Sequence, residues 1–597
     1  MLDTLRTLRL MIGLAWRADK LRTIGCVSTA GTQMLAIPFR ALGIQMLVDG
    51  ITGGDLQHAL AGALLVAGLS GANSIMSWTG LGVRMRLREH IQAYLDTYVM
   101  DLTAGIPGME HHERPSYLNH VELVQLERHY IANPFNPIAW SVASIFQAGS
   151  VLVLLAGVHP LLALLPLAGI PSVWINIRGE RLSIQLREDS AEPRRVLRHL
   201  MDLTIEPLAA KEIRIFGLKD VIFERRREVF DELERGLMRR GAQNGLLSTL
   251  GWACFAACFG LALAYTLHLS ALGLITAGQV MLVLTLGSQL NVQLAELGWN
   301  VAWLVNTQRA VTHLRWLADY AAESATRLFR PRPTPVPERL TDGIRLEGVA
   351  FQYPDTDRPV LSDVNLHIPA GSTVAIVGEN GAGKTTLVKL LCRFYEPTTG
   401  NILVDGTPLE AFDIDEWRER ISAGFQDFSR IQLLARESIG AGDTVYIPDD
   451  VRLLDALDRA SAPDLPRAFP AGLDTQLGRY FEGGVDLSIG QWQKVALGRA
   501  MMRLQPLLLV LDEPTASLDA PTEHRLFEHF ATAASDAAHR SGAITVLVSH
   551  RFSTVRMADT IVVVSGGRVV EAGPHPELVR AGGLYAELYQ LQAAAYR

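Results

Sequence analysis

The stretch Gly378 to Thr386, GENGAGKTT, has the residue types and the spacing that bind a chain of phosphates. An apolar run, Thr373 to Val377, precedes it and a helical pattern follows, so the sequence predicts a strand, a glycine-rich loop and a helix. Such a loop points backbone N–H groups at phosphate oxygens, at the positive end of the helix. The predicted nucleotide-binding residues are Gly378, Glu379, Asn380, Gly381, Ala382, Gly383, Lys384, Thr385 and Thr386.

Metal and water chemistry is predicted beside this loop. Lys384 should reach the β- and γ-phosphates of ATP, and Thr385 should coordinate Mg²⁺. A second signature, Leu507 to Asp519, consists of a buried strand that ends in Asp512, a carboxylate suited to Mg²⁺. The next residue, Glu513, is placed to polarise an attacking water, because adjacent side chains on a strand point to different sides.

A third signature lies between the first two, in Leu487 to Met502. Ser488 and Gly490 stand at the start of a predicted helix and offer a hydroxyl and backbone N–H groups to an anion. The glycine-rich loop already serves one phosphate chain. The second set of donors therefore predicts a nucleotide bound across a dimer interface.

Composition indicates that this ATPase is attached to a membrane part. The chain has 597 residues, of which 49% are hydrophobic, and its mean hydropathy is +0.18. A net charge of -7 supplies no basic field for nucleic acid. The four cysteines are scattered and form no CxxC pair, so neither a disulfide framework nor a zinc module is indicated.

The N-terminal half reads as a polytopic membrane domain. Residues 2 to 17 have one apolar face and predict an amphipathic helix on the membrane surface that is retained in the mature protein. Six apolar segments follow, each near the length of about 20 residues that crosses a bilayer. They lie at 23–48, 56–82, 137–158, 161–177, 245–267 and 271–295.

Charge predicts the topology of these segments. The short joints carry no lysine or arginine, whereas the long connections, 83–136 and 178–244, are rich in charge, so both termini and both long connections are expected in the cytoplasm. Two elbows, Ile106 to His120 and Glu206 to Asp220, break the long helical hairpins at their tips. The histidines and glutamates of the first elbow could suggest a metal cluster, but their spacing matches no ligand pattern, and a tip that docks on another domain is favoured.

Some polar residues fall inside the apolar segments. Arg40 lies in the first segment, and the sixth presents one polar face. That face could line a transport pathway or could form hydrogen bonds between helices, and the sequence leaves both interpretations open. Its residues are Gln289, Gln293, Glu296 and Asn300.

A proline-rich, charged spacer separates the two halves. We therefore predict a transmembrane domain at 1–328, a linker at 329–342 and an ATP-binding domain at 343–597. In the last of these, strand-like runs alternate with helical ones, which is typical of an α/β domain around a largely parallel sheet.

With these motifs in place, the sequence closely resembles the ATP-binding cassette exporters in which six membrane helices and one cassette share a chain. The resemblance covers nearly the whole chain. It implies a multi-domain fold with an all-α polytopic membrane domain, whose six helices have long cytoplasmic extensions, and an α/β P-loop ATPase domain. It also implies that the two elbows dock on cassettes.

The resemblance assigns further residues. Tyr353 matches the aromatic that stacks on adenine, and Asp519 matches the loop that joins the two sites of a dimer. Gln426 matches the glutamine that contacts Mg²⁺ and water, and His550 the histidine that holds the γ-phosphate. Ser488, Gly490 and Gln491 match the signature motif, LSGGQ in the family, and Ile489 replaces one of its glycines.

The sequence therefore predicts an ATPase that works as a dimer and exports a substrate by alternating access. A homodimer is expected, with a heterodimer possible, in the bacterial inner membrane, and with ATP and Mg²⁺ as cofactors. The six apolar segments and their charge asymmetry argue strongly against a soluble ATPase acting on DNA or ribosomes, and the fusion of the two halves disfavours an importer. The presence of Glu513 disfavours a channel or regulator. Peptides and secondary metabolites are the expected substrates; lipid flipping and multidrug export remain open.

Overall fold

The computed structural model describes residues 2–133, 135–171, 173–175, 178–179, 191–328, 333–513 and 520–595. The chain divides into two compact units. The first comprises Met1–Asp101 and His120–Leu317, and the second comprises Leu102–Asn119 and Ala318–Arg597. The first elbow, at Ile106 to His120, thus falls almost entirely in the unit that carries the nucleotide motifs.

Long helices dominate the first part of the chain. Their bounds are Leu2–Ala18 (α1), Lys20–Gly53 (α2), Leu56–Ala104 (α3), Glu110–Glu113 (α4), Pro115–Ala132 (α5), Phe135–Val158 (α6), Ala191–Ile205 (α7), Pro207–Ile215 (α8), Lys219–Ala271 (α9) and Ala277–Leu328 (α10). A 3₁₀ segment, Pro160–Gly169, follows α6; it contains Pro166, which cannot donate a backbone hydrogen bond.

Three of these helices are much longer than a bilayer is thick. Helices α3, α9 and α10 have 49, 53 and 52 residues. A rise of about 1.5 Å per residue makes each of them more than 70 Å long, against about 30 Å of hydrocarbon. The predicted helical extensions of the membrane segments are confirmed, and short breaks at residues 105–109 and 216–218 form the elbows.

Among the described residues, four helices are long and apolar enough to cross a membrane: α3, residues Ser141–Val158 of α6, α9 and α10. A shorter apolar stretch follows at Pro160–Ile175. The first predicted segment lies inside α2, an unbroken helix that contains Pro38 but is not among those four. The number of six membrane crossings therefore stays a prediction.

The core of the first unit joins α2, α6, the 3₁₀ segment, α9 and α10. Apolar side chains from these elements fill it. Its buried members include Ala41, Val151, Leu155, Leu162, Phe255, Leu286 and Leu290.

The second unit contains two β-sheets. The strands are Gly343–Phe351 (β1), Leu361–Pro369 (β2), Thr373–Val377 (β3), Thr399–Val404 (β4), Thr407–Pro408 (β5), Ile421–Gly424 (β6), Leu508–Asp512 (β7), Ile544–Val548 (β8), Thr560–Ser565 (β9) and Arg568–Gly573 (β10). One sheet has the order β2-β1-β4-β5 and is antiparallel. The other has the order β10-β9-β3-β8-β7-β6 and is parallel except at β10, which confirms the predicted α/β domain.

Helices cover these sheets and divide the core of the unit. Their bounds are Lys384–Leu391 (α11), Ile414–Glu419 (α12), Ala435–Gly440 (α13), Asp450–Arg459 (α14), Ile489–Ala500 (α15), Ala520–Ser541 (α16), Phe552–Val555 (α17), His575–Ala581 (α18) and Leu584–Ala595 (α19). Helix α11 packs in a core with β1 to β4, whereas α13, α14 and α15 pack around Trp492 in a separate core. The glycine-rich loop and the third signature therefore belong to different hydrophobic cores.

The predicted linker is described from residue 333. Thr334 pairs with Phe412 as an isolated bridge, and Leu340 is buried, so this stretch is packed within the second unit before β1 begins. The domain boundaries at 328 and 343 stay a prediction.

Candidate nucleotide site

The predicted chemistry gathers at one edge of the parallel sheet. Strands β3, β8, β7 and β6 are neighbours in that order, so their carboxyl ends lie side by side. The glycine-rich loop follows β3, and His550 follows β8. Asp512 ends β7, Glu513 comes directly after it, and Gln426 follows β6. Ligands of open parallel sheets bind in the crevice outside such strand ends.

The loop after β3 has the backbone that only glycine adopts with ease. Gly378, Gly381 and Gly383 have φ angles of 148°, 80° and 105°. A Cβ on Gly378 would also lie 2.1 Å from the carbonyl oxygen of Val564, so no side chain fits there. Of the remaining loop residues, Glu379 and Asn380 are exposed and Ala382 is buried.

Lys384 closes this loop. Its Nζ donates hydrogen bonds to the carbonyl oxygens of Gly378, at 2.9 Å, and Glu379, at 2.8 Å. The side chain is buried, and burial lowers its pKa, an effect that Glu513 and Asp512 oppose. The Lys384 ammonium is therefore held beside the loop and near Asp512 and Glu513, where it could bind a phosphate.

Asp512 and Thr385 form the candidate Mg²⁺ site. Asp512 is 2% exposed, and its Oδ1 has no hydrogen-bond partner in the described part of the chain. Burial raises the pKa of Asp512, and Thr385 and Lys384 lower it. A buried carboxylate oxygen without a partner is costly, and a Mg²⁺ ion bound also by phosphates would satisfy it.

Glu513 connects three strand ends. Its Oε2 accepts a hydrogen bond from Nε2 of Gln426 at 2.8 Å, and its Oε1 lies 3.3 Å from Nδ1 of His550. The residue has a left-handed φ of 47°, which turns its side chain away from the one before it. A half-buried carboxylate held in this way can orient a water and accept its proton.

Tyr353 lies near the loop, in the segment after β1. Its hydroxyl is 3.1 Å from Oγ1 of Thr386, and its ring packs nearly perpendicular to Phe351 with 4.9 Å between centroids. The ring is partly exposed. It can therefore offer a face to a base while its hydroxyl keeps contact with the phosphate loop.

The third signature is not brought to this loop. Ser488 caps α15, its Oγ accepts a hydrogen bond from the N–H of Gln491, and the side chain of Gln491 accepts one from the N–H of Ser488. Ile489 is 57% exposed. Across the described ranges no hydrogen bond joins Ser488, Gly490 or Gln491 to the loop 378–386. Asp519 lies outside the described residues.

The first elbow docks inside the second unit, as predicted. The N–H of Met109 donates to the carbonyl oxygen of Phe394 at 3.1 Å, and the Tyr395 hydroxyl donates to Oε1 of Glu113 at 2.5 Å. Glu110 pairs with Arg327 at 2.9 Å. Within the described ranges, no group of three or more His, Cys, Asp or Glu side chains is arranged to hold a metal.

Sequence reasoning missed the residues on which the elbow docks. Phe394 and Tyr395 follow α11, almost three hundred positions after the elbow, and no local pattern links the two stretches. The only signal was an aromatic pair directly after a helix.

The polar face of the sixth apolar segment is only partly buried. Gln293 is 2% exposed and donates from Nε2 to Oε1 of Gln147, 5% exposed, at 3.4 Å. Asn300 is buried as well, whereas Gln289 and Glu296 are half-buried, as is Arg40. For Gln293 the contact favours the interpretation as a hydrogen bond between helices.

Comparison with known proteins agrees with this site. Residues 361–516 match the sequence family described as ABC transporter. The chain is 27% identical over 603 residues to an ATP-dependent lipid A-core flippase of Bordetella avium (strain 197N), covering 97% of this chain and 95% of that protein. It is 29% identical over 382 residues to the subtilin transport ATP-binding protein SpaT of Bacillus subtilis, covering 63% of this chain and 60% of that protein.

The fold has a counterpart among solved structures. A bacterial Atm1-family ABC exporter, solved with ATP bound, superposes with a TM-score of 0.74 at 24% identity. The match covers 96% of this chain and 98% of the other.

Proposed function

This chain is an ATP-hydrolysing transporter of the ABC type, with one ATPase domain and one helical membrane domain in the ABC exporter fold, and on that premise we propose that two copies form one pump. One observation carries the proposal. The P-loop, the metal carboxylate and the water-activating carboxylate meet at one sheet edge, while the signature residues lie on a helix of a different core.

We assign the steps of hydrolysis as follows. Lys384 and the loop amides hold the β- and γ-phosphates, and the ring of Tyr353 stacks on adenine. Thr385, Asp512 and Gln426 would hold Mg²⁺, which when bound neutralises phosphate charge. Glu513 orients the attacking water and accepts its proton, and His550 donates to the γ-phosphate.

The second copy completes each site. Ser488, Gly490 and Gln491 present a hydroxyl and the N-terminal amides of a 12-residue helix at an exposed surface. Donors left exposed in this way would bind the γ-phosphate held by the partner's P-loop, and Asp519 would lie at the same interface. A homodimer then has two equal sites; a heterodimer with a related chain is the alternative.

A pair of substitutions tests the composite site. If one copy carries Lys384→Ala and the other Ser488→Arg, both changes fall in the same site, and the second site is intact. If both changes are in one copy and the partner is wild type, each site has one defect. We expect the first arrangement, purified through two different tags, to hydrolyse ATP measurably faster than the second. Equal rates would contradict the shared site.

Contacts within the second unit support coupling through Gln426. Its neighbour Phe425 packs on Phe394 with 5.9 Å between ring centroids, and the carbonyl of Phe394 binds the elbow at Met109. A shift of Gln426 on ATP binding can thus reach the elbow through two packed rings. The second elbow exposes Ile215 and Phe216, at 78% and 67%, and we propose that it docks on the partner's cassette.

For topology we propose six crossings of the bacterial inner membrane with both termini in the cytoplasm. The four apolar helices and the charged long connections support this arrangement. Single cysteines at Gly53 and Ser116, in a background without the four native ones, should react with an impermeant reagent from opposite sides of the membrane. Reaction from the same side would overturn it.

For substrate we propose an amphiphile that leaves the cytoplasm, either peptide-like or a secondary metabolite. The subtilin transporter supports this class over 63% of the chain. A lipid flippase is the second candidate, because the lipid A-core flippase of Bordetella avium matches over 97%. Purified protein in liposomes, with a fluorescent cationic peptide and a fluorescent glycolipid tested separately, distinguishes the two by ATP-dependent movement of one and not the other.

A further inference from the structure

The aromatic ring assigned to adenine does not stand alone. Tyr353 lies nearly perpendicular to Tyr395, at 85° with 5.4 Å between centroids, and both rings pack against Phe351 at 4.9 and 5.3 Å. Perpendicular ring pairs at these distances attract through edge and face. The three rings therefore form one rigid cluster, and a base stacked on Tyr353 would press on the cluster as a whole.

A single lysine joins the two tyrosines. The Nζ of Lys389, on α11, lies 5.3 Å from the centroid of Tyr353 and 5.7 Å from that of Tyr395, within the range of a cation–π contact. The same Nζ is 3.9 Å from Oε1 of Glu113 in the first elbow. Lys389 thus contacts the base-binding ring, its neighbour and the elbow at once.

Tyr395 reaches the elbow directly. It is 3% exposed, and its hydroxyl donates to Oε1 of Glu113. Burial and the Glu113 carboxylate raise the pKa of Tyr395, so the hydroxyl stays protonated and remains the donor. A hydrogen bond to a charged acceptor is short and strong, and its loss leaves a buried hydroxyl without a partner.

We propose that Tyr395 is a positioning residue that ties the base of the bound nucleotide to the first elbow through Glu113. The inference rests on the proposed role of Tyr353 as the adenine platform. It differs from the route through Gln426, which responds to the phosphates. Through Tyr395 and Glu113, the elbow distinguishes a bound nucleoside triphosphate from a bound triphosphate without a base.

Amide hydrogen exchange of the elbow tests this proposal without knowledge of the transported substrate. The full-length protein in lipid is saturated with Mg²⁺ and either the β,γ-imido analogue of ATP or inorganic tripolyphosphate, and exchange is followed in the peptide that covers residues 106–113. In the wild type we expect the ATP analogue to slow exchange about tenfold more than tripolyphosphate, the equilibrium effect of about 1.4 kcal/mol.

Two variants should abolish that difference. Tyr395→Phe removes only the hydroxyl that donates the hydrogen bond, and Glu113→Gln removes the charge of the acceptor in the elbow. Because the two variants change opposite ends of the same bond, a folding defect in one of them does not decide the test. In each, the two ligands should protect the elbow within about twofold of each other, because only the phosphate route remains. The double variant should add nothing to either change.

Two controls separate this link from general weakening. Glu110→Gln breaks the ion pair between the elbow and Arg327 but keeps both partners of the Tyr395–Glu113 hydrogen bond, so exchange should rise equally with both ligands. Tyr353→Phe keeps the ring and should keep the difference. If Tyr395→Phe keeps the full difference, or if the wild type shows none, the inference is overturned.

The premise has its own measurement. Tyr353→Ala should reduce the affinity for the ATP analogue towards that for tripolyphosphate. If it does not, Tyr353 is not the adenine platform, and the link from the base to the elbow falls with that assignment. If it does while Tyr395→Phe still keeps the difference, only the link to the elbow fails.

Discussion

The nucleotide pocket and the third signature are built in opposite ways. In the pocket, side chains from three strand ends contact one another, with Glu513 between Gln426 and His550. At the start of α15, the side chains of Ser488 and Gln491 each accept a hydrogen bond from the backbone N–H of the other, and Ile489, which follows Ser488, is exposed. The pocket is therefore assembled within one chain. The signature helix is also formed, but in the described part of the chain no hydrogen bond joins its Ser488, Gly490 or Gln491 to the phosphate loop.

The difference has a physical origin. Parallel strands bring their carboxyl ends to the same edge, so residues far apart in sequence meet without a partner. A helix N-terminus leaves about four N–H groups unused, and its capping box satisfies only part of them. In the proposed dimer, one chain would supply two complementary halves, and each of the first three substitutions below acts on one half.

The largest effect is expected from Glu513→Gln, in the pocket. The change keeps size and the Asp512 site but removes the proton acceptor, so turnover should fall about 100-fold or more while ATP still binds. Steady-state hydrolysis and ATP binding are measured on the lipid-embedded protein. The exposed Glu482→Gln is the control and should behave as wild type. Turnover at the wild-type rate in Glu513→Gln would remove this residue from the mechanism.

Ser488→Arg should have the next largest effect, on the signature half. Its bulk would occupy the place of the partner's γ-phosphate, so hydrolysis should fall by about tenfold or more, since an oriented contact is lost on both sites. ATP affinity of the separated cassette should change little because Tyr353 and the P-loop stay intact. Ser535→Arg, exposed on α16, is the matched control. Full hydrolysis in Ser488→Arg would favour the channel or regulator interpretation.

Ile489→Gly sharpens the comparison at the same helix. It restores the glycine of the family motif and adds backbone freedom, at a cost of about 1 kcal/mol or less in helix stability. ATP affinity should stay within about twofold, and the effect should fall on turnover, in either direction. An altered affinity with constant turnover would show that this position belongs to the pocket instead.

The smallest effect concerns the first elbow, which like the pocket is completed inside one unit. Burial lowers the pKa of His111 to about 4, with a further contribution from His112, and Glu110 opposes it. The unfolded chain takes up a proton near pH 6.5 but the folded elbow does not, so stability present above that pH is lost as pH falls towards 4. The loss is at most about 3 kcal/mol.

Thermal unfolding at several pH values checks this. The difference in Tm between wild type and His111→Gln should shrink as pH falls from 7.5 to 5, because only the wild type loses stability by protonation at this position. His539→Gln, at an exposed position of α16, is the control. Its Tm difference from wild type should not follow the pH dependence expected for His111→Gln. A constant difference for His111→Gln would mean that the imidazole is not buried in solution.

Much of the site could be read from the sequence because its motifs are local. The glycine spacing of 378–383, the Asp512–Glu513 pair and the capping of α15 by Ser488 each depend on neighbours within a few positions. The helical extensions were predictable from periodicity for the same reason. The number of crossings was less predictable, because α2 carries Pro38 and polar residues that weaken an apolar window. The apolar stretch after α6, Pro160–Ile175, is shorter than the other four candidate spans.

The sequence by itself determined the chemistry of this protein: a P-loop, two carboxylates after a buried strand, a second set of anion donors and an apolar half with charged connections. Tertiary structure alone decided which of these meet. Strand order placed Gln426, Glu513 and His550 together, and the fold brought Glu113 to Tyr395 across 282 positions. Contacts of that kind follow from packing and burial of whole elements, which no local spacing encodes.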